Sequence, residues 1–102
     1  MPKYDFSMFE LLPPGWYMAF AQNMMEDLQQ VLDKQSEEVR ESFQILDVKE
    51  KWGRMRVYVA PYIEEVEDVI DKYETIAMHT CCICGTPVRV IKLYPLCEGC
   101  EK

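Results

Sequence analysis

The sequence predicts an α+β chain: two amphipathic helices flanking a β-hairpin, followed by a small cysteine-rich segment. Three patterns carry this. Apolar residues recur at spacings of three and four in two stretches, from about Trp16 to Lys34 and from Pro61 to His79, which places them on one face of a helix. Between the stretches, Met55, Val57 and Val59 alternate with Arg54, Arg56 and Tyr58, the period-two pattern of a half-buried strand. All five cysteines fall after Thr80.

Met1–Leu12 mixes aromatic and polar residues (Tyr4, Phe6, Phe9) and is expected to pack as an irregular arm. Pro13-Pro14-Gly15 punctuates the chain. In the first helix Tyr17, Phe20, Met24, Leu28, Val31 and Leu32 form the apolar face, with Glu26, Asp27, Asp33 and Lys34 mostly opposite. Gln35–Ser42 is polar, either a loop or a helical extension through Val39. Phe43–Lys49 and Met55–Ala60 read as strands, joined by a turn at Glu50–Gly53 in which Gly53 is free to take a positive φ. Lys49, Lys51, Arg54 and Arg56 make this hairpin the basic cluster of the chain. They can contact phosphate or an acidic partner, or simply balance the acidic helices. Pro61 suits the first position of the second helix, where its missing N–H costs nothing. Ile63, Val66, Val69, Ile70, Tyr73, Ile76 and Ala77 form that helix's apolar face. Glu64, Glu65, Glu67, Asp68, Asp71 and Glu74 make its outer face acidic, opposed only by Lys72.

The C-terminal segment holds two Cys-x-x-Cys pairs, Cys81/Cys84 and Cys97/Cys100. A tetrahedral zinc ion takes four thiolates at about 2.3 Å, and each such pair supplies two from one turn. Gly85 directly after the first pair permits the tight turn that brings amides to the sulfurs. The expected site is a closed, structural Zn²⁺ centre on Cys81, Cys84, Cys97 and Cys100. Disulfides are the competing use of these residues and iron is another. Five cysteines leave one unpaired, which argues against a secreted disulfide scaffold. Cys82, next to a ligand, is expected to point elsewhere, and His79 to cap the helix end rather than bind metal. Val88, Val90 and Leu93 fit a small strand beside Arg89 and Lys92. Only two residues follow Cys100, which favours a zinc ribbon or knuckle over a treble clef.

The length of 102 residues suits one compact domain, with 1–79 as helix-hairpin-helix core and arm and 80–102 as the zinc segment. Hydrophobic residues at 49% exclude a disordered chain. A net charge of −7 disfavours nucleic acid as a whole, although local basic patches can override it. No secretory signal is visible, and the uncharged run Leu11–Met25 is too short for a membrane span. A cytoplasmic location is expected. Isolated glycines exclude a phosphate loop, and a four-thiolate zinc has no open position for water. The carboxylates are expected on solvated faces with ordinary ionisation, so the chain is not expected to be an enzyme.

Gly15-Trp16 opening a helix, Val48-Lys49-Glu50-Lys51-Trp52-Gly53-Arg54-Met55-Arg56-Val57-Tyr58, Thr80-Cys81-Cys82-Ile83-Cys84-Gly85 and Leu96-Cys97 together resemble a group of small phage and prophage zinc-binding proteins. Their hallmark is similar to Lys-Glu-Lys-Phe-Gly-x-Leu-Arg-Phe-Tyr followed by a helix and Cys-x-x-Cys-Gly. This chain departs from it with Trp52 in place of phenylalanine and with the additional Cys82. The resemblance implies a mobile-element origin and a bacterial host cell. It is also similar to zinc-containing anti-CRISPR proteins, which implies an inhibitor of a type II CRISPR effector nuclease, a basic host protein suited to the acidic face at Glu64–Glu74. The alternative is a zinc-ribbon nucleic-acid-binding or transcription-associated module contacting phosphate through Lys49, Lys51, Arg54, Arg56, Arg89 and Lys92.

Overall fold

The computed structural model describes residues 4–88 and 95–101, without the side chains of Glu98 and Glu101. Pro14 does more than punctuate: it is the first residue of a helix, tolerated there because that N–H would be unpaired anyway. α1 (Pro14–Trp16) runs through a π-helical turn (Tyr17–Ala21) into α2 (Gln22–Asp33). Its buried residues are Trp16, Phe20, Met24, Leu28 and Leu32, with Ala21 beside them. Steps of four drift around a helix of 3.6 residues per turn. The wider π turn, bonded i→i+5, absorbs part of that drift. Trp16 therefore faces the core, and Tyr17, expected there, is 41% exposed.

The segment after α2 forms its own helix, α3 (Glu37–Ser42), because the Ser36 side chain accepts the Val39 N–H at its start. β1 (Gln44–Lys51) and β2 (Arg54–Ala60) pair antiparallel. Trp52 and Gly53 both take positive φ, 56° and 79°, the signature of a type I′ two-residue hairpin turn. Glu50 accepts the Gly53 N–H at 2.9 Å. The register shifts between Ile45 and Asp47, leaving Leu46 without a partner. This bulge changes the phase of β1, so that Ile45 and Val48 can both face inward across an odd spacing.

α4 (Glu64–Met78) begins three residues later than the sequence suggests. Pro61 follows a cis peptide, and Ile63 is the extended residue that caps the helix. Pro61–Ile63 instead carry the chain out of the sheet and bury Ile63. Glu64, Glu65 and Glu67 consequently occupy the first turn, where the helix dipole favours anions.

α4 packs on α2 and β2, burying Val66, Ile70, Tyr73 and Ala77. Phe20 and Tyr73 rings meet at 5.8 Å. The Tyr73 hydroxyl and Lys72 Nζ both reach Asp27 of α2, the latter at 3.3 Å. Asp27 thus sits at the helix seam rather than on the outer face. The N-terminal arm is likewise more ordered than expected. A 3₁₀ turn (Ser7–Leu11) buries Phe9, and the Tyr4 hydroxyl donates to Asp33 at 2.9 Å while its ring stands edge-on to Phe43.

Candidate metal centre

α4 ends at His79, and the chain immediately makes a knuckle. Thr80 bridges Pro87, Cys81 N–H donates to the Thr86 carbonyl at 2.8 Å, and Gly85 N–H donates back to the Cys81 carbonyl at 2.9 Å. Gly85 has φ of 83°, which L side chains rarely adopt. The second cysteine pair is held against this knuckle by the Cys82 N–H, which donates to the Pro95 carbonyl at 2.8 Å. Cys97 precedes α5 (Glu98–Glu101), a single turn that contains Cys100. The second pair therefore opens a short helix. The expected strand residues Val90 and Leu93, with Arg89 and Lys92, lie outside the described residues; Val88 is buried.

The structure brings Cys81, Cys84, Cys97 and Cys100 together, all four sulfurs within 4.8 Å of one another, Cys84 and Cys97 at 3.5 Å. All five cysteines are free thiols. Four sulfurs at about 2.3 Å from one ion stand roughly 3.8 Å apart on tetrahedron edges. The observed cluster fits a metal ion with small adjustments. Cys82 stands outside it, half-buried against the hydrophobic core.

The electrostatics suit a cation. Burial pushes the Cys81 thiol up, but backbone N–H groups of Cys84, Cys97 and Ile83 more than reverse this and lower it to about 6. Hydrogen bonds with Thr86 hold Cys84 below its ordinary value. Hydrogen bonding to Cys97 and Cys84 pushes Cys100 up to about 12. One sulfur is thus prepared as a thiolate while another keeps a proton among crowded sulfurs. A cation held by Cys81, Cys84, Cys97 and Cys100 would replace that proton, because a coordinating thiol is deprotonated outright. For Cys82, burial, the nearby Cys81 sulfur and Glu50 raise the thiol, which keeps it neutral. His79 Nδ1 lies 3.2 Å from the Val88 carbonyl oxygen and takes no part in the cluster.

Sequence reasoning missed how the knuckle is seated. Gly15 N–H donates to the Cys82 carbonyl at 2.8 Å, and Trp16 Nε1 donates to the Thr80 carbonyl at 2.9 Å. A Cβ on Gly15 would stand 2.2 Å from the Cys81 carbonyl oxygen and 2.7 Å from Gly85 N. The start of α1 and the knuckle meet backbone to backbone. Gly15-Trp16 was visible as a helix opening, but nothing local marks a glycine that must admit another main chain.

The acidic residues of α4 divide. Glu64, Glu65, Asp68 and Asp71 are exposed. Glu67 and Glu74 are half-buried, and for both burial raises the carboxyl above its ordinary value; Asp71 adds to this at Glu67, whereas Arg56 opposes it at Glu74. The expectation of a uniformly solvated face with ordinary ionisation is corrected for these two, because the helix turns them toward its neighbours. On the hairpin, Lys49 pairs across the strands with Arg56, and Lys51 with Arg54.

No protein-family model matches the chain, and no curated protein or solved structure matches it either. Among the described residues, no helix is long and apolar enough to cross a membrane.

Proposed function

We propose that the chain is a non-catalytic, zinc-stabilised interaction protein that binds a basic surface of a partner protein through the outer face of α4. Zinc is the metal that four cysteines in two Cys-x-x-Cys pairs suit best, and four thiolates complete its shell, leaving it a structural role. The observation that supports the acidic face is the placement of Lys72, the one base of α4. Its ammonium is turned to Asp27 and the Tyr73 ring. Glu64, Glu65, Asp68 and Asp71 are left exposed, with no ion pair among the described residues. The first-turn acids also serve the helix dipole, but Asp68 and Asp71 lie beyond it. Charges of this kind add little to folding and govern encounter rate and specificity at an interface. The resemblance to phage proteins puts a type II CRISPR effector nuclease first among partners, since its nucleic-acid channels are positively charged.

The test is charge reversal at the exposed positions, Glu64→Lys, Asp68→Lys and Asp71→Lys together. Glu67 is left alone because it is half-buried. The variant should keep its fold and zinc content. It should bind a purified type II effector nuclease more slowly, with weaker salt dependence, and inhibit cleavage less. Equal binding by parent and variant at low and moderate salt would remove the acidic face from the mechanism. Absence of binding by the parent would remove this partner.

A further inference from the structure

The hairpin presents a second charged surface, of opposite sign and on different elements. Val48, Met55 and Val57 are buried on its inner face. The alternate pairs, Asp47 with Tyr58, Lys49 with Arg56 and Lys51 with Arg54, fall on the outer face. Like charges directly opposite one another destabilise a two-stranded sheet. Here two such pairs are adjacent. Asp47 meets Lys49 at 3.5 Å, Glu50 is turned to the Gly53 N–H, and Glu74 approaches Arg56 from α4. Lys51 and Arg54 have no ion pair among the described residues.

Two rings flank these cations. Tyr58 is 46% exposed beside Lys49, whose ammonium lies 5.5 Å from the ring centre. Trp52 is 68% exposed at the hairpin tip. Its φ of 56° places a bulky aromatic in the left-handed region, where asparagine or glycine is the ordinary occupant of a type I′ turn. The residue is mostly exposed and its backbone is left-handed, so burial in the core does not account for a tryptophan there. Backbone strain of this kind clusters at ligand-contacting sites, which makes this exposed ring a candidate contact.

From these observations we propose that the outer face of the hairpin binds single-stranded nucleic acid. Lys49, Lys51, Arg54 and Arg56 contact phosphates, and Trp52 and Tyr58 stack on unpaired bases. A run of cations tracking a backbone, interleaved with rings that every base can stack on, is how sequence-tolerant single-strand sites are built. A duplex keeps its bases stacked on each other and offers the rings nothing. The overall negative charge does not forbid the contact, because the field is set locally: Glu74 of α4 acts on Arg56, while Lys51 and Arg54 keep no ion pair among the described residues. The residues tested here differ from those reversed on the acidic face, so either proposal can fail without the other.

The probe is a fluorescently labelled oligo-dT strand, titrated with the zinc-loaded full chain and followed by anisotropy over a range of salt. Duplex DNA and a polyglutamate peptide are run in parallel. With four phosphates engaged, the slope of log affinity against log salt should be about −3, at roughly 0.7 per phosphate on a single strand. Lys51→Gln with Arg54→Gln should cut that slope by about half. Trp52→Asn relieves the turn, so its melting temperature should rise, while affinity for oligo-dT falls roughly tenfold. That combination is one a merely structural tryptophan would not give. The proposal is overturned by no binding of oligo-dT at low salt, or by Trp52→Asn binding as tightly as the parent. It is also overturned if duplex DNA or polyglutamate competes as well as the single strand, since the face would then be a general anion patch.

Discussion

Gly15→Ala should be among the most damaging single-methyl changes this chain can suffer. The added Cβ would stand 2.2 Å from the Cys81 carbonyl oxygen, 2.7 Å from the Cys82 carbonyl carbon and 2.7 Å from Gly85 N. All three are backbone atoms of a knuckle fixed by its own hydrogen bonds, so no side chain can swing aside. The knuckle must lift from α1. Lifting it breaks the Gly15–Cys82 and Trp16–Thr80 hydrogen bonds, each worth about 1 kcal/mol. Overpacking adds about 1–3 kcal/mol. Alanine is a better helix former than glycine, which returns at most about 1 kcal/mol. The net expectation is a loss of about 3 kcal/mol, or roughly 12–24 °C in Tm for a domain of this size. Gly99→Ala is the internal control, because its Cβ would meet only the Cys97 sulfur, at 4.0 Å. Urea unfolding followed by far-UV circular dichroism measures both, on zinc-loaded protein, with competition by a chromogenic chelator reporting metal retention. Gly15→Ala should unfold earlier and surrender zinc sooner, while Gly99→Ala should track the parent. If Gly15→Ala unfolds within about 0.5 kcal/mol of the parent, the size of an ordinary surface change, the backbone-to-backbone seating of the knuckle is wrong.

Elemental analysis should find about one zinc per chain, kept by Cys82→Ser and lost by Cys97→Ser; equal loss in both would overturn the ligand assignment. Acidification should release the metal, since thiolates must be reprotonated, and a site that holds zinc unchanged well below pH 5 would not be a thiolate site. Chelation should free the cysteine segment and loosen the start of α1, while the Phe9–Leu32–Val66 core keeps most helical signal; complete loss of far-UV signal would show that the core depends on the knuckle. Tyr73→Phe should cost about 1–2 kcal/mol, the range for a hydrogen bond to a partly exposed charge. Burial and the bond to Asp27 raise Tyr73 to about 12, whereas that bond lowers Asp27. The tyrosine's contribution is therefore full below its ordinary value near 10 and lost as pH climbs toward 12, and the aspartate's is lost as pH falls through the acid range. Denaturant midpoints should fall at both extremes in the parent and change less in Tyr73→Phe.

Local pattern alone specified the two long helices with most of their apolar faces, the hairpin with the alternation of β2, and the four cysteines that cluster, but not the short helices α3 and α5 or the 3₁₀ turn. These depend on periodicity, turn chemistry and ligand spacing, which a linear sequence displays directly. Element boundaries were less legible. Pro61 is equally at home at a helix start and in the connector it occupies, and Leu46 carries no mark of a bulge. Tertiary structure decided what the sequence could not display. Phase slip through the π turn exchanged Tyr17 for Trp16 in the core. Packing against α2 drew Asp27 into contact with Tyr73 and Lys72, and the approach of α4 to its neighbours buried parts of Glu67 and Glu74. The seating of the knuckle on Gly15 joins residues more than sixty positions apart. Such contacts arise where two backbones meet, and the space between them is a property of neither stretch alone.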